Sequence, residues 1–242
     1  MVGASQGIGK AIIEHWLEHP EAFPSYQVVL LCGRNTEALK HLEARIQARY
    51  PLCQVQCITQ CITDTAQTAQ TLLAAIQPWA SLHWQCVCNA GICLEQALFT
   101  EHTLEEVMRT FQVNTLGVSA VIHTWLKFWS TTETYGDVLV VNSMAGLSSE
   151  PYWSAYSASK HALRALMEAL THERHPDSKV RFMSLYPGAV RTAMWPEEET
   201  HALQPHEIMA PEEVAQTIAW MLRTPSHLCV SQVTMNATQA RL

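Results

Sequence analysis

Short apolar, β-prone runs at residues 28–32, 55–58, 84–88, 137–141, 180–186 and 230–235 alternate with segments whose apolar residues recur at three- and four-residue spacing. That alternation constrains the fold more than any other feature. A strand followed by a helix brings the chain back parallel to where it started, and a parallel sheet has to be covered on both faces. The spacing of Ile8, Ala11, Ile12 and Trp16 predicts a helix ending before Pro20, and Leu39, Leu42 and Ile46 mark one face of a second over 35–49. Further helices are predicted over 64–76, 103–129 and 154–173, with another opening at Pro211. Thr103-Leu-Glu-Glu106 has the form of a capping box, and Pro211-Glu-Glu sets proline and carboxylates in a first turn, where the helix dipole favours them. The expected fold class is α/β: a doubly wound, mostly parallel Rossmann-type sheet that takes ligands at the carboxyl ends of its strands. No repeat, linker or low-complexity stretch interrupts the pattern, so residues 1–242 are expected to form a single domain.

Apolar residues make up 48% of the chain and charged residues 15%, enough for a core and too little charge for disorder. A formal net charge of −7, with only 15 Lys and Arg, argues against a nucleic-acid surface. No apolar run approaches the roughly 18–20 residues that cross a bilayer, and no signal peptide opens the chain, so a cytoplasmic protein without membrane contact is expected. The eight cysteines do not repeat the paired Cys-x-x-Cys spacing of structural zinc sites: Cys53, Cys57 and Cys61 recur every fourth residue, and Cys86 and Cys88 flank one valine. Reduced thiols packed as small apolar groups, with no bound metal, are expected.

The chemistry concentrates in a few places. Gly3-Ala4-Ser5-Gln6-Gly7-Ile8-Gly9 runs into a helix, a turn that lets backbone N–H groups approach a phosphate. Tyr156-Ser-Ala-Ser-Lys160 sets two side chains on one helical face four residues apart. A phenol titrating near ~10 is a poor acid or base at neutral pH, and a nearby ammonium is expected to lower that value and make proton transfer feasible. Ser143 directly follows the strand at 137–141, at the ligand-binding edge, so serine, tyrosine and lysine can converge.

On these residues the chain resembles the short-chain dehydrogenase/reductase family over essentially its whole length, in the manner of an NADP-dependent carbonyl reductase. Gly3-x-x-x-Gly7-x-Gly9 resembles the family's cofactor loop, Asn89-Ala90-Gly91 its motif after the fourth strand, and Asn114 its mid-helix asparagine. Ser143 and Tyr156-x-x-x-Lys160 match the catalytic set, and Pro187-Gly188-Ala-Val190-Arg-Thr192 the loop beside the nicotinamide. The resemblance implies a hydride transfer between NADP(H) and a carbonyl or alcohol, with Tyr156 as general acid or base. It implies that Lys160 binds the ribose and tunes Tyr156, that Ser143 polarises the substrate oxygen, and that Asn114 holds a relay water. Ser5, Ile8, Asn35 and Ala90 join the implied cofactor contacts, with Val190 and Thr192 at the carboxamide and pyrophosphate. The second strand of the family pattern ends here in Cys32-Gly33-Arg34-Asn35, where an NAD enzyme usually carries an acid. An arginine there pairs with a 2′-phosphate, so NADP(H) is favoured over NAD(H).

The sequence departs from the family pattern in three places. Cys61 stands where an aspartate near the adenine is usual, and Cys88 replaces the first asparagine of the Asn-Asn-Ala-Gly motif. Only Met1 and Val2 precede Gly3, where the family has an apolar first strand. A sheet lacking its middle strand leaves two edges unpaired and a gap in the core, so such a chain is expected to fold poorly and further residues are expected before Met1. These departures support an alternative, a non-catalytic NADP(H)-binding regulatory protein of the same fold; epimerase or lyase chemistry is a third reading, disfavoured because no C-terminal substrate domain follows Met235. Segments 144–153 and 193–209 are expected to line the pocket, and Trp153, Met194 and Trp195 point to an apolar or ring-bearing substrate. Helices 103–129 and 154–173 carry Leu116, Val121, Trp125, Leu163, Leu166 and Leu170, more apolar surface than one sheet face is expected to bury; the resemblance implies that they pair in a homodimer or homotetramer.

Overall fold

The computed structural model describes residues 1–19, 27–132, 134, 136–173, 180–195 and 203–240. Each apolar run becomes a strand: β1 (Val28–Gly33), β2 (Gln54–Thr59), β3 (Trp84–Cys88), β4 (Gly136–Val141), β5 (Arg181–Pro187) and β6 (Gln232–Met235). The helices between them are α1 (Gly7–Glu18), α2 (Thr36–Arg49), α3 (Thr65–Ile76), α4 (Leu104–Phe111), α5 (Val118–Thr132), α6 (Ser154–Glu173) and α7 (Pro211–Arg223). Their starts follow from local chemistry. Asn35 accepts from the Ala38 N–H and Asp64 from the Gln67 N–H. Thr103 and Glu106 form the reciprocal box, each side chain accepting from the other's backbone N–H.

Every strand pairing is parallel, in the spatial order β2, β1, then β3, β4, β5, β6. Between β1 and β3 the sheet is closed by one residue, Val2, which bridges Cys32 on one side and Cys88 on the other. Its N–H donates to the Val87 carbonyl and its own carbonyl accepts from Asn89, while Met1 contributes its amine to the Leu30 carbonyl and its carbonyl to the Cys32 N–H. The expected gap is therefore bridged at the carboxyl ends of the strands. Toward their amino ends it persists as a cavity of about 250 Å³, walled by Val28, Leu30, Trp84, Cys86 and Trp125.

Side-chain alternation splits the sheet into two apolar faces. Val28, Leu30, Trp84, Cys86, Val138, Val140 and Phe182 point toward α3, α5 and α6, where Trp125 sits against Trp84 (5.0 Å between ring centres) and Trp129 (5.4 Å). Val29, Leu31, Val87, Leu139, Met183 and Leu185 meet α1, α2 and α7 on the other side. At the amino end of β4 the buried Asp137 carboxylate accepts two hydrogen bonds from the Arg181 guanidinium (2.6 and 2.7 Å) and one from Gln85 (2.9 Å).

Two expectations need correction. The single helix expected over 103–129 is two helices joined by a π-helical turn, Gln112–Gly117, tight enough that a Cβ on Gly117 would lie 2.7 Å from the Ile62 side chain. The apolar surplus assigned to subunit pairing is largely internal: Val121, Trp125 and Leu163 are buried, Leu166 and Leu170 pack partly buried against the core, and only Leu116 of that set is exposed. The sheet face and its neighbouring helices cover more than the sequence spacing suggests, because α5 and α6 sit against β3, β4 and β5 together.

Candidate active site

Arg34 and Asn35 follow β1, Asn89–Gly91 follow β3, Ser143 follows β4 and the 188–192 loop follows β5, while the glycine turn follows Val2, Asn114 lies in the π turn and Tyr156 and Lys160 lie on α6. Gly3 and Gly7 adopt positive φ (81° and 53°), which side chains resist. A Cβ on Gly3 would lie 2.7 Å from the Ala90 N, and one on Gly9 would overlap the Gly3 carbonyl, so backbone packs directly on backbone here. The Asn89 amide donates to that same Gly3 carbonyl at 2.9 Å, locking the turn to the end of β3. The first turn of α1 has no side-chain cap on Gln6 and no acidic residue, which leaves its N–H groups for an external anion. Thr192 packs against Gly7, and Ser5 lies beside Gly33. Val190 pairs with Met209, and Gly188 is so close to the Asn236 side chain that a Cβ would collide with it. Pro187 closes β5 opposite Met235. A groove of this form fits a dinucleotide: a glycine cradle and an uncapped helix for phosphates, with the 188–192 loop opposite.

At the far end of β1, Arg34 is exposed and Asn35 is committed to capping α2. Cys61 is engaged with the Thr63 hydroxyl (3.2 Å) and within electrostatic reach of Arg34. Cys88 is buried, its sulfur 3.7 Å from that of Cys86, and all eight cysteines are free thiols.

Tyr156 and Lys160 lie buried on the first turns of α6. Tyr156 lies beside Ser143, close enough for the serine to act on the phenol's pKa, and the Ser143 oxygen accepts from the Ala145 N–H at 3.1 Å. Burial raises the Tyr156 hydroxyl well above its ordinary pKa; Ser143 offsets part of this, and the Cys93 thiol adds a further upward push. Burial brings Lys160 down to about 8, with Cys93 working in the opposite direction. This corrects the expectation that the ammonium lowers the phenol. Each group is shifted mainly by its own desolvation, and neither shift has the other side chain among its causes.

Asn114 sits in the π turn with its side chain completely buried. Its Oδ1 accepts from the Ile92 N–H (2.8 Å), while Nδ2 donates to the Ile92 carbonyl (2.8 Å) and the Ser159 hydroxyl (3.0 Å). Both amide hydrogens are thus committed, and Asn114 ties the segment after Gly91 to α6. Sequence reasoning missed Ser159, which also donates to the Tyr156 carbonyl (2.7 Å), and Asn142, which donates to the Lys160 carbonyl (3.2 Å). Their signal was adjacency to Lys160 and Ser143. It also missed Cys93, whose thiol burial raises to about 11 and which is within electrostatic reach of Lys160.

Doubly wound sheets with a glycine cradle at the first strand-to-helix turn form one large class, the dinucleotide-fold oxidoreductases among them. The family model described as short chain dehydrogenase matches residues 1–202, and the chain belongs to that family of oxidoreductases. It is similar to dehydrogenase/reductase SDR family member 11 of Homo sapiens, 27% identical over 253 residues that cover 99% of this chain and 93% of the relative. Farnesol dehydrogenase of Aedes aegypti is 25% identical over 240 residues, 97% of this chain and 93% of its own. Among solved structures, an alcohol dehydrogenase from the archaeon Thermococcus sibiricus complexed with 5-hydroxy-NADP superposes with a TM-score of 0.82 at 24% identity, covering 100% of this chain and 97% of that one. Among the described residues no helix is long and apolar enough to cross a membrane.

Proposed function

We propose that this protein transfers a hydride between NADP(H) and a carbonyl or alcohol substrate, with Tyr156 moving the proton. The observation that carries the reading is the buried Tyr156 beside Ser143, with Lys160 one turn along α6 and its Nζ 5.6 Å from the Tyr156 ring centre, at the strand edge that also holds the glycine cradle. The glycine cradle and the uncapped first turn of α1 would hold the cofactor, which would supply the hydride to a carbonyl carbon. Tyr156, protonated at neutral pH, donates to the carbonyl oxygen in reduction and takes the proton back in oxidation. Ser143 polarises the same oxygen through its hydroxyl. Lys160 bears the positive charge that stabilises a developing phenolate and supplies donors for the ribose. Asn114 acts as a positioning residue through Ile92 and Ser159, and its Oδ1 and the Lys160 Nζ both lie 3.5 Å from where a Cβ on Gly91 would stand.

NADP(H) over NAD(H) rests on Arg34 and on the absence of an acid at the end of β1; the archaeal alcohol dehydrogenase with its NADP-type ligand is consistent with this choice. Cys61 and Cys88 at the two departures from the family pattern favour the second reading, a non-catalytic NADP(H)-binding protein of the same fold. One experiment separates the two. NADPH oxidation is followed across a panel of ketones and aldehydes, and Tyr156→Phe is expected to lower turnover by 10² or more while NADPH binding, read by cofactor fluorescence, is retained. Turnover of the variant within about tenfold of the parent overturns the assignment, and a parent that binds NADPH and reduces nothing supports the second reading. A homo-oligomer is also proposed, now on the exposed Leu104, Met108 and Leu116.

A further inference from the structure

Tyr152 has a φ of 68°, and it is the only non-glycine residue among those described with a positive φ. A bulky side chain resists this conformation, so neighbouring contacts have to hold it. Its carbonyl accepts from the Ala97 N–H (3.4 Å), and the Trp153 carbonyl that follows accepts from the Ser157 N–H (2.8 Å). The chain is thereby turned between the 92–98 segment and the start of α6, and Trp153 is brought onto the candidate site. Its ring meets Tyr156 edge-on (6.0 Å, 86°) and lies tilted against Trp195 (5.1 Å, 52°). Both indoles are only partly buried, and Met194 beside them is 45% exposed. Residues 92–98, 144–153 and 192–195 contain no lysine or arginine, and their only charged residues, Glu95 and Glu150, are exposed; of the cations nearby, Arg191 donates to the Leu203 carbonyl and Lys160 is buried with its amine on the Val141 carbonyl.

We infer that Trp153 and Trp195 are specificity-determining residues forming one aromatic wall for an uncharged carbonyl substrate with a flat, apolar ring system. The wall adjoins Tyr156, so a ring lying against the indoles can direct its carbonyl to the phenol. A carboxylate or phosphate on the substrate meets no cation in these segments and two acids at their rim. The inference rests on the oxidoreductase reading for its chemistry, and its binding arm stands apart from turnover.

The test pairs 2-acetylnaphthalene, which presents a flat ring, with 2-butanone, which does not. In the parent protein kcat/KM is expected to favour the naphthyl ketone by at least 100-fold. Trp153→Ala is expected to narrow that ratio at least tenfold, mainly through KM, and Trp153→Phe to restore most of it. In parallel, calorimetry with NADP⁺ present measures 2-acetylnaphthalene binding to Tyr156→Phe and to Tyr156→Phe/Trp153→Ala, which is expected to bind at least tenfold more weakly. Equal binding to those two proteins, or no binding to either, overturns the inference. So does a substrate ratio that Trp153→Ala leaves unchanged. Tight, Trp153-dependent binding without turnover in the parent supports the wall and overturns the catalytic reading instead.

Discussion

Lys160 Nζ stands 5.6 Å from the centre of the Tyr156 ring and directs a hydrogen bond to the Val141 carbonyl, 3.3 Å away. The two side chains share one desolvated site, and burial works against the charged form of each.

That burial makes Lys160 a stability cost. Its folded pKa of about 8 lies below the unfolded value near ~10.4. Between those values the unfolded chain binds more protons, so stability rises with pH across that window, and the penalty is fully present below about pH 8. Lys160→Met is therefore expected to raise Tm at pH 7 by about 4–8 °C, from a relief on the order of 2 kcal/mol. The gain should disappear by about pH 10.5, and activity should be lost throughout. Thermal unfolding at the two pH values checks this; a lower Tm for the variant at pH 7 contradicts it.

Cofactor choice is expected to follow Arg34. Arg34→Ala should lower kcat/KM for NADPH by about 10- to 100-fold, the range for losing a charge-assisted hydrogen bond, and change the NADH value less than threefold. Placing an acid at Gly33 is the poorer test, because a Cβ there would lie 3.2 Å from the Ser5 hydroxyl. Equal losses with both cofactors would remove Arg34 from the 2′-phosphate.

At the opposite end of the sheet, Asp137 holds Arg181. Burial alone would raise the aspartate, but hydrogen bonds from Arg181, His83 and Gln85 bring its pKa below the ordinary value. Its contribution is thus present above the unfolded pKa near ~3.9 and is lost as pH falls through the lower folded value. Asp137→Ala strands a buried guanidinium and is expected to cost about 3–5 kcal/mol, or roughly 10 °C in Tm. Asp137→Asn should flatten the dependence of stability on pH below about 4. Urea unfolding from pH 3 to 7 measures both effects.

Association is expected to depend on the exposed Leu104, Met108 and Leu116, which lie on α4 and the π turn. Leu116→Glu should convert a dimer to monomer in sedimentation at micromolar concentration with little change in Tm. Leu166 is less suitable because it packs partly buried against the core, so a charge there would confuse folding with association. A parent protein that sediments as monomer with full activity removes the proposal.

What the sequence made legible was what local chemistry decides. Thr103 with Glu106, the helix over 154–173 and the strand over 84–88 follow from caps, spacing and short apolar runs, and Ser143, Tyr156 and Lys160 were marked by their place after a strand or on one helical face. The features it left hidden are tertiary. The π turn depends on Ile62 and Ile92, far away in the chain, and the direction of the Tyr156 and Lys160 shifts depends on how completely the site is buried. The burial of Val121, Trp125 and Leu163 depends on which helices cover which strands.

The π turn at Gln112–Gly117 also sets how this helix tolerates changes in length. Such a turn carries one more residue than α-helical winding needs. Deleting a single residue there would let the segment rewind as α-helix, with no gap in the hydrogen-bond ladder and little local penalty. Each residue of an α-helix turns the chain by about 100°. Because the turn absorbs the extra residue, the deletion would leave α4 and α5 close to their present register, but it would turn the Asn114 amide away from Ile92 and Ser159 and release the loop after Gly91. A change nearly silent for helix formation would be disruptive for the candidate site, whereas a deletion after Val118 would swing the buried Val121, Trp125 and Trp129 away from the core and cost the fold itself.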